Sequence, residues 1–197
     1  MAVIAVTGDI GAGKSTVSRL LAQKFNCEVY DADEIVKNLW SSEEVKNSAL
    51  SHWGKKILDE KGNIIKSKIS ELIFTNKNDW EFCNNLIHPL VMAELKSKSE
   101  NSKTQNIILE IPLLFEAGKN DWIDKIVYVS ADFEIRAERC RLQRGWNIEE
   151  LKRREKFLLS KSEKILKSDY VIYNDKSIKE TGEEINEIQR STRTKIN

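Results

Sequence analysis

Ala2-Val-Ile-Ala-Val-Thr7-Gly8-Asp9-Ile10-Gly11-Ala12-Gly13-Lys14-Ser15 is the stretch on which the reading of this chain turns. Residues 2–7 are apolar, β-branched and short, and Gly8 bounds them. That is the pattern of a strand buried on both faces, as in a parallel sheet. From Lys14 onward, apolar residues fall at Val17, Leu20, Leu21 and Phe25, which is helix spacing. The order is therefore strand, glycine loop, helix. Residues 8–15 match G-x-x-x-x-G-K-S. Glycines allow the backbone to wrap closely, so that its N–H groups point at an anion. The helix that follows presents its positive N-terminus to the same anion. This is the chemistry of a phosphate loop. It predicts ATP contacts from Gly11, Ala12, Gly13, Lys14, Ser15 and Thr16, with Lys14 on the β- and γ-phosphates and the Ser15 hydroxyl on Mg²⁺.

Two other nucleotide-binding readings compete. A dinucleotide fold would use the acidic residue Asp33, about twenty residues past the loop. The glycine spacing here is G-x-x-G-x-G rather than G-x-G-x-x-G, and Lys14-Ser15 has no work in that fold. A GTPase would use Asp59-Glu-Lys-Gly62 and Asn76-Lys-Asn-Asp79. Neither follows a buried strand, so both are read as chance matches.

Outward from the loop, Glu28-Val-Tyr30 reads as a second strand, ending at Asp31-Ala32-Asp33. Ile107–Ile111, Ile126–Val129 and Tyr170–Tyr173 complete five short apolar strands separated by helical stretches. The fold class is α/β, an open parallel sheet of five strands flanked by helices. Residues 35–104 break that rhythm and read as a helical insertion. Residues 136–156 hold eight Lys/Arg against four Glu without a strand pattern, and read either as a solvated helix face or as a basic flap over phosphates. The core is then 1–34, 105–135 and 157–197. Ile178, Ile185 and Ile188 in the tail have helical spacing.

Composition narrows the class. Hydrophobic residues at 40% and charged residues at 32% supply a core and exclude a disordered chain. A net charge of +1 gives no global pull toward nucleic acid or a membrane surface, so any anion site is local. Cys27, Cys83 and Cys140 have neither metal-ligand spacing nor a disulfide framework, and read as reduced thiols. The N-terminal apolar run lacks the length and basic flank of a signal peptide, and no apolar stretch suffices to cross a bilayer. A cytoplasmic protein is expected.

A kinase must set a hydroxyl in line with the γ-phosphate, and a carboxylate that takes the hydroxyl proton helps. Asp31 and Asp33 lie where strand two ends, and ligands of open α/β sheets bind off the carboxyl ends of the strands. Alternation puts both on one side, one to act and one to brace. Alternatively, one caps the next helix. Glu110, at the end of strand three, suits a magnesium water, because a carboxylate in so apolar a run needs a partner. Arg136, Arg139, Arg141 and Arg144 suit a flap that closes on ATP and stabilises the transferred charge. By composition His88 is an ordinary packed or capping residue.

The chain resembles the dephospho-coenzyme A kinase family. The resemblance rests on Thr7-Gly-Asp-Ile-Gly-Ala-Gly-Lys-Ser-Thr16, Asp31-Ala-Asp33, Trp53-Gly54 with Gly62-Asn63-Ile64, Ile87-His-Pro89 and Ile111-Pro-Leu-Leu-Phe-Glu116. It continues through Arg144-Gly-Trp146, Arg154, and Ser168-Asp-Tyr-Val-Ile172 with Asn174. It implies a P-loop kinase that phosphorylates the ribose 3′-hydroxyl of dephospho-CoA with ATP and Mg²⁺, with a helical substrate region and a lid. It implies Asp33 as catalytic base, with Lys14 and Arg144 beside it, and Arg139 or Arg141 on ATP. It further implies Thr7, Asp31, His88, Pro89, Leu113 and Glu116 on the substrate side, and Ser15 and Glu110 on the metal. No nucleic acid or membrane partner is expected, and a monomer or weak homo-oligomer is. The other readings are a kinase of another small acceptor, such as a nucleoside monophosphate, and an ATP sensor without turnover, which has no need of Asp33.

Three departures from the family stand out. Asp9 occupies a loop position that is usually Gly, and its charge should weaken ATP binding unless the side chain points outward. Replacing it by Gly is then expected to leave activity intact or to improve ATP affinity. Leu158 stands where Gln is common. Arg139 and Arg144 are five residues apart, one more than in the usual lid, which leaves open whether Arg139 or Arg141 is the equivalent arginine.

Overall fold

A computed structural model describes residues 2–193 apart from 105 and 119. Five strands, β1 (Ala2–Gly8), β2 (Glu28–Asp31), β3 (Asn106–Glu110), β4 (Lys125–Ser130) and β5 (Tyr170–Tyr173), make one all-parallel sheet in the order β2-β3-β1-β4-β5. Each expected strand is present. The helices are α1 (Lys14–Phe25), α2 (Ala32–Leu39), α3 (Glu43–Trp53), α4 (Lys66–Ile73), α5 (Lys77–Asn101), α6 (Phe133–Arg144), α7 (Ile148–Glu155), α8 (Lys161–Leu166) and α9 (Ile178–Arg193).

The central strands are apolar throughout because both faces of the sheet are covered. Side chains alternate along a strand, so β1 sends Val3 and Ala5 to one core and Ile4 and Val6 to the other. On the first face lie α2, α3, α4 and α5, through Ile35, Val45, Ile69 and Leu95. On the second lie α1 and α9, through Val17, Leu21, Ile185 and Ile188. Ile178, grouped with these by spacing, is exposed instead. The stretch from 35 to 104 is helical, apart from a short 3-10 turn (Gly54–Ile57) and loops, and it shares one core with the sheet.

The two GTPase-like patterns have local explanations. Asp59–Gly62 forms a turn in which Asp59 accepts the N–H groups of Lys61 and Asn63. Asn76 caps α5 through the N–H of Asn78. Among the described residues no helix is long and apolar enough to cross a membrane.

Candidate active site

β1, β2 and β3 end at Gly8, Asp31 and Glu110, which brings their carboxyl ends to one crevice. Gly8 has φ 150°, and a Cβ there would run into the Val129 carbonyl of β4. Gly13, with φ 87°, precedes α1, and a Cβ there would strike Asn174. These two positions therefore need glycine. Asn174 follows β5 and shapes the loop from behind. Its Nδ2 donates to the Ala12 carbonyl at 2.8 Å, and Thr181 Oγ1 donates to its Oδ1 at 3.2 Å.

Lys14 is curled over its own loop, with Nζ donating to the carbonyls of Gly8 (3.3 Å) and Asp9 (3.1 Å). Burial lowers its pKa, and the carboxylates of Glu110 and Asp33 oppose that shift. It lines a cavity of about 200 Å³ together with Gly11, Gly13, Ser15, Arg139 and Arg144 and the carboxylates of Asp31, Asp33 and Glu110. Arg139 also braces the loop, donating to the carbonyls of Ala12 (3.3 Å) and Asn174 (2.9 Å). Ala12 and Thr16 are not among the lining residues; Ala12 is buried.

Asp33 is not the next outward residue of a strand. β2 stops at Asp31, whose Oδ1 accepts the Asp33 N–H at 2.8 Å and caps α2. Both aspartates still face the cavity, one from the cap and one from the first turn of α2. Burial, and then the like charge of Asp31, raise the Asp33 pKa, against Lys14 and Arg144. A carboxylate so shifted is the stronger base.

Glu110 Oε1 accepts the Ser15 hydroxyl at 2.8 Å, and burial raises its pKa against that bond. Among the described residues no three His, Cys, Asp or Glu side chains are grouped to hold a metal alone. Oxygen donors from Ser15 and Glu110 suit Mg²⁺, which is commonly held by one or two protein groups together with substrate phosphates.

Asp33 and Pro112 also line a second, largely apolar hollow of about 50 Å³, with His88, Val36, Met92 and Leu113. Asp33 therefore stands between the phosphate cavity and this hollow. Burial lowers the His88 pKa, and the nearby Glu116 carboxylate opposes that shift. Pro89, inside α5, is exposed and does not line the hollow.

Four residues singled out in the sequence make other contacts in the structure. Thr7 is 1% exposed, and its hydroxyl donates to the Pro112 carbonyl at 3.2 Å, so it ties β1 to the turn after β3. The Glu116 carboxylate is sealed in, pairing with Lys164 Nζ at 2.8 Å and accepting the Leu159 N–H at 3.1 Å. Arg141 lies on the outer side of α6 and pairs with Glu138 at 2.7 Å, because two residues along a helix turn the side chain about 200° from Arg139. Arg136 is buried behind the loop, holding the carbonyls of Ile10 (3.0 Å) and Ala131 (3.1 Å) and the carboxylate of Glu155.

Asp9 does not line the cavity beside Lys14. Tyr128 and Ser130 of β4 donate their hydroxyls to its carboxylate, the second at 2.9 Å, and Lys161 Nζ lies 3.9 Å away. Burial, and then the Asp9 bond, push the Tyr128 pKa up. Nothing in the spacing of Asp9, Tyr128 and Ser130 announces this cluster; the register of β1 against β4 creates it. Gln143 and Asn174 also reach the site and were not assigned a role from sequence. Asn174 did stand in the quoted match.

The family described as Dephospho-CoA kinase (CoaE) matches residues 2–180. A dephospho-CoA kinase of Fusobacterium nucleatum is 39% identical over 178 residues, covering 90% of this chain and 92% of that one. Of solved structures, TT1252 from Thermus thermophilus superposes with a TM-score of 0.76 at 25% identity, covering 100% of this chain and 98% of that one. A dephospho-CoA kinase from Campylobacter jejuni superposes with a TM-score of 0.64 at 23% identity, covering 99% and 98%, which bears on the fold alone.

Proposed function

The chain belongs to the dephospho-CoA kinase family, and we propose from that premise how its residues perform the ATP-dependent last step of coenzyme A biosynthesis. The loop N–H groups and Lys14 hold the β- and γ-phosphates of ATP. The ribose 3′-hydroxyl of dephospho-CoA approaches from the hollow beside His88, Met92 and Leu113. Asp33 accepts the hydroxyl proton as the new O–P bond forms and the bond from the γ-phosphorus to the ADP oxygen breaks. Arg144 and Arg139 offset charge on the transferred phosphoryl group. Ser15 and Glu110 are the residues that would hold Mg²⁺, which when bound neutralises phosphate charge. Residues 136–156 act as the lid over the cavity, and 35–104 as the substrate region.

The observation that carries this reading is Asp33 lining both the phosphate cavity and the apolar hollow. A base in that position touches donor and acceptor at once. All these groups come from one chain, in keeping with a monomer or weak homo-oligomer. The test is turnover with ATP-Mg²⁺ and either dephospho-CoA or a panel of nucleoside monophosphates. Turnover with dephospho-CoA is expected; turnover with the panel alone would sink the reading.

A further inference from the structure

Arg144 is the last residue of α6, and Gly145 (φ 68°) turns the chain so that Trp146 folds back toward that helix end. The Trp146 N–H donates to the Cys140 carbonyl at 3.4 Å. Among the described residues the Arg144 guanidinium has no hydrogen bond or ion pair; beyond the charge of Asp33, which it feels across the cavity, its contact is with the Trp146 ring, 4.8 Å from guanidinium carbon to ring centroid. The same ring carries a second guanidinium, Arg154 of α7, at 3.9 Å. Arg154 is itself anchored on three sides. Its Nε donates to Glu150 at 2.7 Å, its Nη2 donates to the Ser70 hydroxyl of α4 at 2.9 Å, and it lies 4.4 Å over the Phe74 ring. Its neighbour Arg153 donates to the Thr75 hydroxyl at 2.9 Å.

An exposed arginine on a helix end samples many rotamers, and fixing it costs conformational entropy. A guanidinium over an indole face is held by the ring quadrupole. Trp146 thus supplies to Arg144 what hydrogen bonds supply to Arg154. We propose that Trp146 is a positioning residue for Arg144, holding its guanidinium toward the phosphate cavity and linking it, through Arg154, to Ser70 and Phe74 of the helical region. The proposal rests on the reading of Arg144 as a phosphate-side group of a kinase. It adds that the lid arginine is aligned from the region that receives the acceptor. The ring is partly exposed, and the contact is made by its face rather than its volume.

The test is a double-mutant cycle on kcat, with Tm measured for every variant. Trp146→Leu is expected to lower kcat by about tenfold, the scale of one cation–π contact, with KM for ATP changed less than about threefold. Trp146→Phe, which keeps an aromatic face, is expected to retain most of the rate. In an Arg144→Ala background, the Trp146→Leu step is expected to shrink below about twofold, because the residue it positions is gone. An equal loss in both backgrounds would overturn the proposal, as would a Phe variant as slow as Leu. The cycle is read with whichever acceptor the unmodified chain phosphorylates, so a wrong acceptor would fail the previous assay and leave this one intact.

Discussion

The Asp9 carboxylate takes hydroxyl bonds from Tyr128 and Ser130 and is 12% exposed. The premise for expecting a gain from Gly at this position, a negative charge facing the phosphates, is therefore removed. Asp9→Gly deletes two charge-accepting bonds and strands two hydroxyls. The expected cost is about 1–3 kcal/mol, seen as a fall in Tm of about 2–10 °C with ATP affinity no tighter. An unchanged Tm would show that the bonds contribute nothing. At Asp33, burial first and Asp31 second raise the pKa. A base works deprotonated, so kcat/KM should rise with pH through this raised pKa, placing the acid limb above the ordinary aspartate value of about 3.9. Asp31→Asn, which still caps α2, should move that limb to lower pH. Asp33→Asn should cost about a hundredfold or more in kcat; near-normal turnover would remove it as the base.

Among the elements, α8 shows how a short helix is pinned. Ser160 and Glu163 form a reciprocal cap at its start. Lys164 pairs with Glu116 at side-chain exposures of 3% and 7%, and Glu116 Oε2 has no hydrogen-bond partner among the described residues. Removing the lysine leaves a buried carboxylate unpaired. Lys164→Met is expected to cost about 3–5 kcal/mol, read as a lower urea midpoint with unchanged slope. The double variant Lys164→Met with Glu116→Leu should recover much of that loss. Glu116 was legible from sequence as part of a family motif but not as half of this pair, because its partner stands 48 residues away on a helix of its own. α2 gives a similar lesson. Its cap by Asp31 was one of two readings open in the sequence, and only the backbone at Ala32 decides that Asp33 rides on a helix.

Across the whole molecule, the crevice joins a loop after β1, a cap after β2, a carboxylate ending β3, a basic helix after β4 and Asn174 after β5. A ligand gripping so many elements stabilises the native state as a unit. ATP at about a hundred times its Kd should add about 2.7 kcal/mol, a rise in Tm of about 5–10 °C by thermal shift, and Lys14→Ala should abolish most of it. A full-sized shift in that variant would mean that ATP is held without the loop lysine. The sequence by itself determined the five-stranded sheet, because strands covered on both faces must be continuously apolar. It determined the phosphate loop as well, because loop, lysine and hydroxyl are neighbours in the chain. Tertiary structure alone decided the direction of Asp9, the choice of Arg139 over Arg141 at the cavity, and the sealing of Thr7 and Glu116. Each depends on the register or helical phase of segments far apart in sequence, which local spacing does not encode.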